Sequence, residues 1–433
     1  MHLTGFMVFT PASHAQMSWI YPRDKTPYQW HEVEYWQSIA RTLERGKFDM
    51  FFFADQLAGF EAYEGNMDHT IRFATQFPVH DPVVLVPALS AVTKHLGFAL
   101  TMSVTYYPPY LLTRKLSTLD HLTKGRIGWN IVTSYHTNEA KNFGMEMMLT
   151  HAERYARAEE YMQVCEALWN SWDKDAVIAD MENGIFADPA KVRTIDFQGQ
   201  WFSCRGPASV IPSPQGHPLL IQAGASGPGR DFGARRAECI FAIQLTPERM
   251  RTFSDDIRAR AVSFGRNRAD LKILWGVMPI VAATESEARE IQREAHERIP
   301  LKAGLTLMSG HLNYDLSSLD LDAPLEHVDV PGIQSVLTMF ADAQGNMPTL
   351  REAAIRYGGG VAMPQLVGNP SQVADQLMHL HQEGGGDGFQ FSPIYYGPQY
   401  FEDIVDLLIP ELQNRGVFRE EYDDESLRGR FNG

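Results

Sequence analysis

The chain has 433 residues, 44% of them hydrophobic, and a formal net charge of −15. That allows a large buried core and weighs against DNA, RNA or an anionic membrane as partner, each of which would repel so acidic a protein. Cys165, Cys204 and Cys239 are too few and too scattered for a disulfide framework or zinc ribbon, the N-terminal Met-His-Leu-Thr-Gly lacks a secretion pattern, and no apolar run reaches the about 18 residues of a membrane span, so a soluble cytoplasmic protein is expected.

In chain order, strands are expected at Leu3–Phe9, Phe48–Ala54, Leu96–Met102, Arg126–Thr133, Pro218–Ala223, Cys239–Ile243, Leu271–Val281 and Gly388–Ser392. Helices are expected at His31–Arg45, Pro82–Thr93, Tyr110–Leu122, Thr150–Asp173, Gly229–Arg236, Pro247–Phe264, Glu285–Ala295, Ser371–Gln382 and Gln399–Asn414. A helix after nearly every strand is the pattern of a (β/α)8 TIM barrel, with an open doubly wound sheet as the runner-up. Long connections near 56–81, 174–217 and 298–347 read as insertions in a single domain spanning 1–433. The first two follow strands two and four, on the C-terminal face where barrel active sites lie.

Polar residues gather where the strands run out. They are Asp55 after the second, Thr101 and Ser103 in the third, and Asn130, Thr133, Ser134 and Tyr135 in the fourth. Singly, each reads as a helix cap; together, around one mouth, they read as a site. After the fifth strand, "QAGASGPGR" (Gln222–Arg230) joins a strand, a glycine-rich turn and a helix start at Ser226. Free amides and the helix dipole there form a cradle for phosphate. In "LTHAERYARAEEY", Thr150 and Glu153 form a capping box, which puts His151 and Tyr155 on one face of the first turns. A His and a Tyr at a positive helix end can hold a phosphate, although alone they read as a half-buried His and a core Tyr.

Joined, "TLERGKFDMFFFAD", "AVTKHLGFALTMSVTYYPPY", "KLSTLDHLTKGRIGWNIVTS", "HAERYARAEEYMQVCEALWNSW" and "PSPQGHPLLIQAGASGPGRDFGARRAECIFA" resemble the bacterial luciferase-like flavin monooxygenases. The similarity is to the subgroup of nitrilotriacetate, dibenzothiophene sulfone and long-chain alkane monooxygenases. It implies FMN on the C-terminal face, reduced by a separate flavin reductase, and O2 as co-substrate, giving oxygenation through a flavin peroxide; whether that forms at N5 or C4a stays open. It further implies that Asp55, Thr101, Ser103, Asn130 and Ser134 line the flavin ring, and that His151, Tyr155, Ala225 and Ser226 surround the phosphate. Thr101 and Asn130 would place oxygen, so they are the catalytic candidates, and apolar lining, Trp129 included, would slow water. The expected assembly is a homodimer or homotetramer.

Substrate contacts implied by the resemblance are Phe60, Gln76, Tyr135, His136 and His311. The chain departs from its relatives near the N-terminus, where Thr10 and His14 stand in place of a cysteine, and at Tyr135, which replaces a His. With Phe9, Trp19, Tyr21, Phe60, Tyr106 and Tyr135 near the mouth, an aromatic or heteroatom-containing substrate is expected rather than an alkane. Alternatives are a deazaflavin-dependent oxidoreductase and a non-catalytic flavin-binding protein of the same fold. Metal hydrolysis is disfavoured, because His379 and His381 sit two apart on a helix and diverge; no metal is expected.

Overall fold

The computed structural model describes all residues except 13, 22, 24–28, 225, 326–329, 334, 342–344, 424–425 and 433. Eight parallel strands close into a barrel. They are β1 (His2–Val8), β2 (Met50–Ala54), β3 (Gly97–Ser103), β4 (Ile127–Val132), β5 (Leu219–Gln222), β6 (Cys239–Ala242), β7 (Lys272–Val281) and β8 (Gly388–Phe391). Each pairs with its sequence neighbours, and β8 returns to β1 with Gly5 opposite Phe391. This is the (β/α)8 TIM barrel expected from the sequence, and every expected strand overlaps an observed one.

Side chains alternate across each strand. Phe6, Val8, Met50, Phe52, Ala99, Leu219, Ile221, Cys239 and Leu274 form one cluster, the barrel interior. Leu427 and Phe431 of the C-terminal helix join it and seal the N-terminal end. Leu3, Met7, Phe51, Phe53, Leu100, Ile127 and Trp129 face outward into the core shared with the helices. Trp129 therefore does not line a pocket. Its indole donates to the Met102 carbonyl at 3.0 Å and packs near Tyr161 and Trp169 of the helix after β4. Gly97 and Gly128, the small residues of β3 and β4, make room for Leu427 and Ile221, which pack where a Cβ would stand.

Helices follow the strands as expected, with two refinements. The last of the expected helices, observed over Pro398–Asn414, contains a π-turn at Ile404–Leu408. Pro410 lacks the N–H that would continue regular α pairing, and the wider turn absorbs the loss. A ninth strand, Gln365–Gly368, pairs with the outer half of β7 (Met278 opposite Gln365).

The segment after β7 carries helices that the sequence pattern hid, Leu301–Leu312 and Leu350–Gly358. Gly304 and Gly310 lower helix propensity in the first, but they serve close packing. A Cβ at Gly304 would lie 2.1 Å from the Ala354 carbonyl oxygen, and one at Gly310 would collide with the Phe60 ring. Phe60 and Tyr63, from the connection after β2, share this core with Leu305, Met308, Leu312 and Tyr357. In the connection after β4, the buried Glu160 carboxylate accepts from the amides of Gln200, Trp201 and Phe202 at 2.8–2.9 Å and ties a short hairpin to the barrel.

Candidate active site

Thr101 and Asn130 are register partners on β3 and β4, each 5% exposed. The Thr101 hydroxyl donates to the Phe53 carbonyl at 2.9 Å, which spends its one proton. It must then accept, and Asn130 Nδ2 donates to it at 2.9 Å. That chain fixes the amide orientation and leaves Asn130 Oδ1 buried without a hydrogen bond. An orphaned buried acceptor costs about 1–3 kcal/mol, which a ligand N–H would relieve.

One layer nearer solvent, the Ser103 and Ser134 hydroxyls lie 2.9 Å apart, and Thr105 N–H donates to Ser103 Oγ at 3.2 Å. Ser134 has φ 55, a left-handed conformation that a serine adopts at a cost. Asp55, at the end of β2, lines a cleft of about 400 Å³ together with Gln56, Phe77, Asp81, Tyr107 and Asn138. Burial, reinforced by Asp81 and Glu139, pushes the Asp55 pKa well above the usual carboxylate range. Of the residues expected around the ring, Asp55 alone borders this cleft; Thr101, Ser103, Asn130 and Ser134 lie in the barrel mouth.

The second pole is the start of helix Gly227–Arg236. Ser226 Oγ caps it by accepting from Gly229 N–H at 3.2 Å, and His151 Nε2 lies 3.1 Å from the same oxygen. The capping box at Thr150 is present, so His151 opens its helix and Tyr155 follows one turn later, their rings 5.0 Å apart. The Tyr155 hydroxyl faces the same cradle. A Cβ at Gly229 would sit 2.8 Å from the Tyr155 hydroxyl and 2.9 Å from Ser226 Oγ, so the floor of this cradle requires glycine. Two hydroxyls, an imidazole and the Gly227 N–H, the first-turn amide neither paired at Ser226 nor replaced by proline, form a donor set suited to a phosphate dianion. Ala225 lies outside the described residues.

Arg154 is a cation that sequence reading passed over. It is 7% exposed, its Nε is buried without a partner, and it acts electrostatically on both His151 and Tyr155. The signal was present in "HAERY", where Arg154 stands three residues after His151 and so shares its face.

The substrate candidates divide. The Phe60 ring contacts both His136 (5.3 Å) and His311 (5.5 Å), and Tyr135 packs on His136 at 3.9 Å. His14 stacks on Phe6 at 4.6 Å and feels the charge state of His311, as His136 does. Burial holds His14 and His136 down to about 3 and His311 to about 4, so all three imidazoles are neutral at pH 7. His311 Nδ1 lies 2.6 Å from the Tyr357 hydroxyl, a partner sequence reading missed. Gln76 stands apart; it has φ 48, and its carbonyl accepts from Gln56 beside the cleft.

The expected aromatic mouth is dispersed. Phe9 packs among Trp30, Trp36 and His80, Tyr21 stacks on Tyr395, and Tyr106 stacks on Phe143. Trp19 donates its indole N–H to the Phe73 carbonyl. Phe60 and Tyr135 remain as the pair that meets the histidines. His379 and His381 both lie on helix Pro370–Gly384, and among the described residues no cluster of three metal-ligating side chains occurs.

The profile described as luciferase-like monooxygenase matches residues 5–387. The chain belongs to this family. It is 39% identical over 435 residues to a dibenzothiophene-sulfone monooxygenase of Rhodococcus erythropolis (strain XP), covering 99% of this chain and 95% of that one. It is 38% identical to nitrilotriacetate monooxygenase component A of Aminobacter aminovorans, covering 95% and 92%. Among solved structures, riboflavin lyase RcaE with modified FMN and riboflavin superposes with a TM-score of 0.92 at 31% identity, covering 100% and 95%. As a member of this family, the chain is a flavin-dependent monooxygenase. No helix among the described residues is long and apolar enough to cross a membrane.

Proposed function

We propose that this luciferase-like monooxygenase is the oxygenating component of a two-component system that uses reduced FMN from a separate flavin reductase and O2. The observation that carries the proposal is the pairing of two poles on one barrel face. One is a phosphate cradle at Ser226, His151 and Tyr155; the other is an orphaned acceptor at Asn130. A phosphate monoester attached to a flat heterocycle rich in N–H groups suits that pair. Relatives named as component A and as an FMNH2-dependent dimethylsulfone monooxygenase support the cofactor and the two-component arrangement.

Bound reduced FMN supplies the two electrons and the reaction with oxygen. The protein's share is placement. Ser226, Tyr155, His151 and the Gly227 amide anchor the phosphate, and the Ala225 position is assigned to the same role. Ser103, Ser134 and Asp55 flank the ring, and Thr101 orients the Asn130 amide toward its reacting edge. Neutral His14, His136 and His311, with Phe60, Tyr135 and Gln76, shape the substrate side. Uncharged imidazoles favour a neutral aromatic or heteroatom-containing substrate. We further propose a single domain with its insertions over the mouth, a cytoplasmic setting, and a homodimer or homotetramer.

The test couples the protein to a generic flavin reductase and NADH under ¹⁸O2, with a panel of sulfones, halogenated aromatics, alkanes and aminopolycarboxylates. The expected result is one labelled oxygen in the product of a neutral aromatic or heteroatom substrate. Product labelled from water, or turnover with a deazaflavin in place of FMN, contradicts the proposal.

A further inference from the structure

We propose that Tyr357 is a positioning residue that locks His311 into the tautomer protonated on Nε2. His311 then presents a fixed, uncharged hydrogen-bond donor to a substrate bearing an acceptor oxygen of sulfoxide, sulfone or carbonyl type. The inference rests on the reading that oxygenation takes place at the barrel mouth.

Close helix packing builds the contact. His311 stands in the last turn of helix Leu301–Leu312 and Tyr357 in the last turn of helix Leu350–Gly358. A Cβ at Gly358 would lie 3.1 Å from Gly304 Cα, so the two helices meet backbone to backbone. The Tyr357 hydroxyl thereby reaches His311 Nδ1 at 2.6 Å, with the rings nearly perpendicular and 5.6 Å apart.

The direction of that bond follows from what each partner has left. Among the described residues the Tyr357 hydroxyl has no other hydrogen-bond partner. If Nδ1 carried the proton and donated it, the phenol proton would be buried with no acceptor, a cost that the opposite direction avoids. Burial pushes the Tyr357 pKa far above the usual phenol range and holds His311 down to about 4. At pH 7 the phenol keeps its proton and the imidazole is neutral. The tyrosine donates, Nδ1 accepts, and the single imidazole proton resides on Nε2.

That nitrogen is unspent. His311 is 9% exposed, and its Nε2 hydrogen-bonds to no described residue and is not sealed off from solvent. The Phe60 ring contacts both His311 (5.5 Å) and His136 (5.3 Å), and Gly310 gives it room, since a Cβ there would stand 2.3 Å from the ring. Tyr135 packs on His136 and directly follows Ser134, whose Oγ lies 2.9 Å from Ser103 Oγ in the mouth. The donor therefore stands on an aromatic wall that continues to the mouth. Such a wall suits a neutral apolar body, and a substrate without an acceptor would leave the Nε2 proton unpaired.

The test uses the full chain loaded with oxidised FMN and two probes of like shape, diphenyl sulfone and diphenyl sulfide. ¹⁵N-histidine spectra of the flavin-free protein accompany the titrations. The His311 signals, identified by their loss in His311→Leu, should show a protonated Nε2 and an unprotonated Nδ1. The parent should bind the sulfone about tenfold more tightly than the sulfide, the scale of one neutral hydrogen bond. Tyr357→Phe should convert the His311 signals to a tautomer mixture and lower the sulfone preference about threefold, and His311→Leu should abolish the preference. A purely structural role for Tyr357 would weaken both probes alike and leave their ratio unchanged. A proton on Nδ1, a parent that binds FMN without preferring the sulfone, or an unchanged ratio in Tyr357→Phe overturns the proposal. A parent that fails to bind FMN overturns the functional reading instead.

Discussion

Asn130 Nδ2 donates to Thr101 Oγ1 at 2.9 Å across adjacent barrel strands, and the direction of that bond is forced, because the Thr101 proton is already given to Phe53. The amide therefore meets the mouth with a free acceptor. Asn130→Ala should weaken FMN binding by no more than the about 1–3 kcal/mol its acceptor supplies and lower oxygenation at saturating flavin by about 10²–10³-fold, the range for loss of a preorganised polar group at a reacting centre. FMN titration beside product quantification checks it. Wild-type product formation in this variant removes Asn130 from the mechanism.

The phosphate pole should behave oppositely. Ser226→Ala and Tyr155→Phe each remove a hydrogen bond to a dianion, about 1.5–3 kcal/mol, so FMN should bind about 10–150-fold more weakly. Oxygenation at saturating flavin should change little. Fluorescence-quenching titrations of the two variants read this directly.

Gly229 separates ligand binding from stability. An added methyl would press on the Tyr155 and Ser226 oxygens at 2.8 and 2.9 Å. Alanine is also the better helix former, by about 0.8–1 kcal/mol. Gly229→Ala should weaken FMN binding by tenfold or more, while the flavin-free protein melts no lower than the parent. A lowered melting temperature with intact affinity would contradict the cradle.

The histidine group sets a pH dependence. His14, His136 and His311 have folded pKa values held by burial at about 3, 3 and 4, below the ordinary 6.5. The unfolded chain binds these protons first, so the stability is present above pH 6.5 and is lost as pH falls toward 4. Melting temperature should drop across that window, and His136→Gln should drop less steeply than the parent. Equal slopes would show that His136 takes up no proton on unfolding.

How much was legible in advance follows from locality. Strand ends, the Thr150 capping box and the Ser226 helix start are written in contiguous residues, and the barrel brings them to one face. Trp129 illustrates the opposite. Its neighbour Asn130 points inward, so alternation sends the indole outward to Tyr161, whereas the family resemblance implied a pocket wall. The helix Leu301–Leu312 was hidden by glycines that the sequence could not show to be packing contacts. Tyr357 joins His311 from 46 residues away, a meeting only tertiary structure reveals.

The most direct test of the account is a paired titration of the flavin-free protein with FMN and with riboflavin, in the parent and in Ser226→Ala. The account predicts that the parent binds FMN much more tightly than riboflavin, and that Ser226→Ala erases most of that difference. Equal affinity of the parent for both ligands would contradict the phosphate cradle and, with it, the placement of the flavin in the barrel mouth.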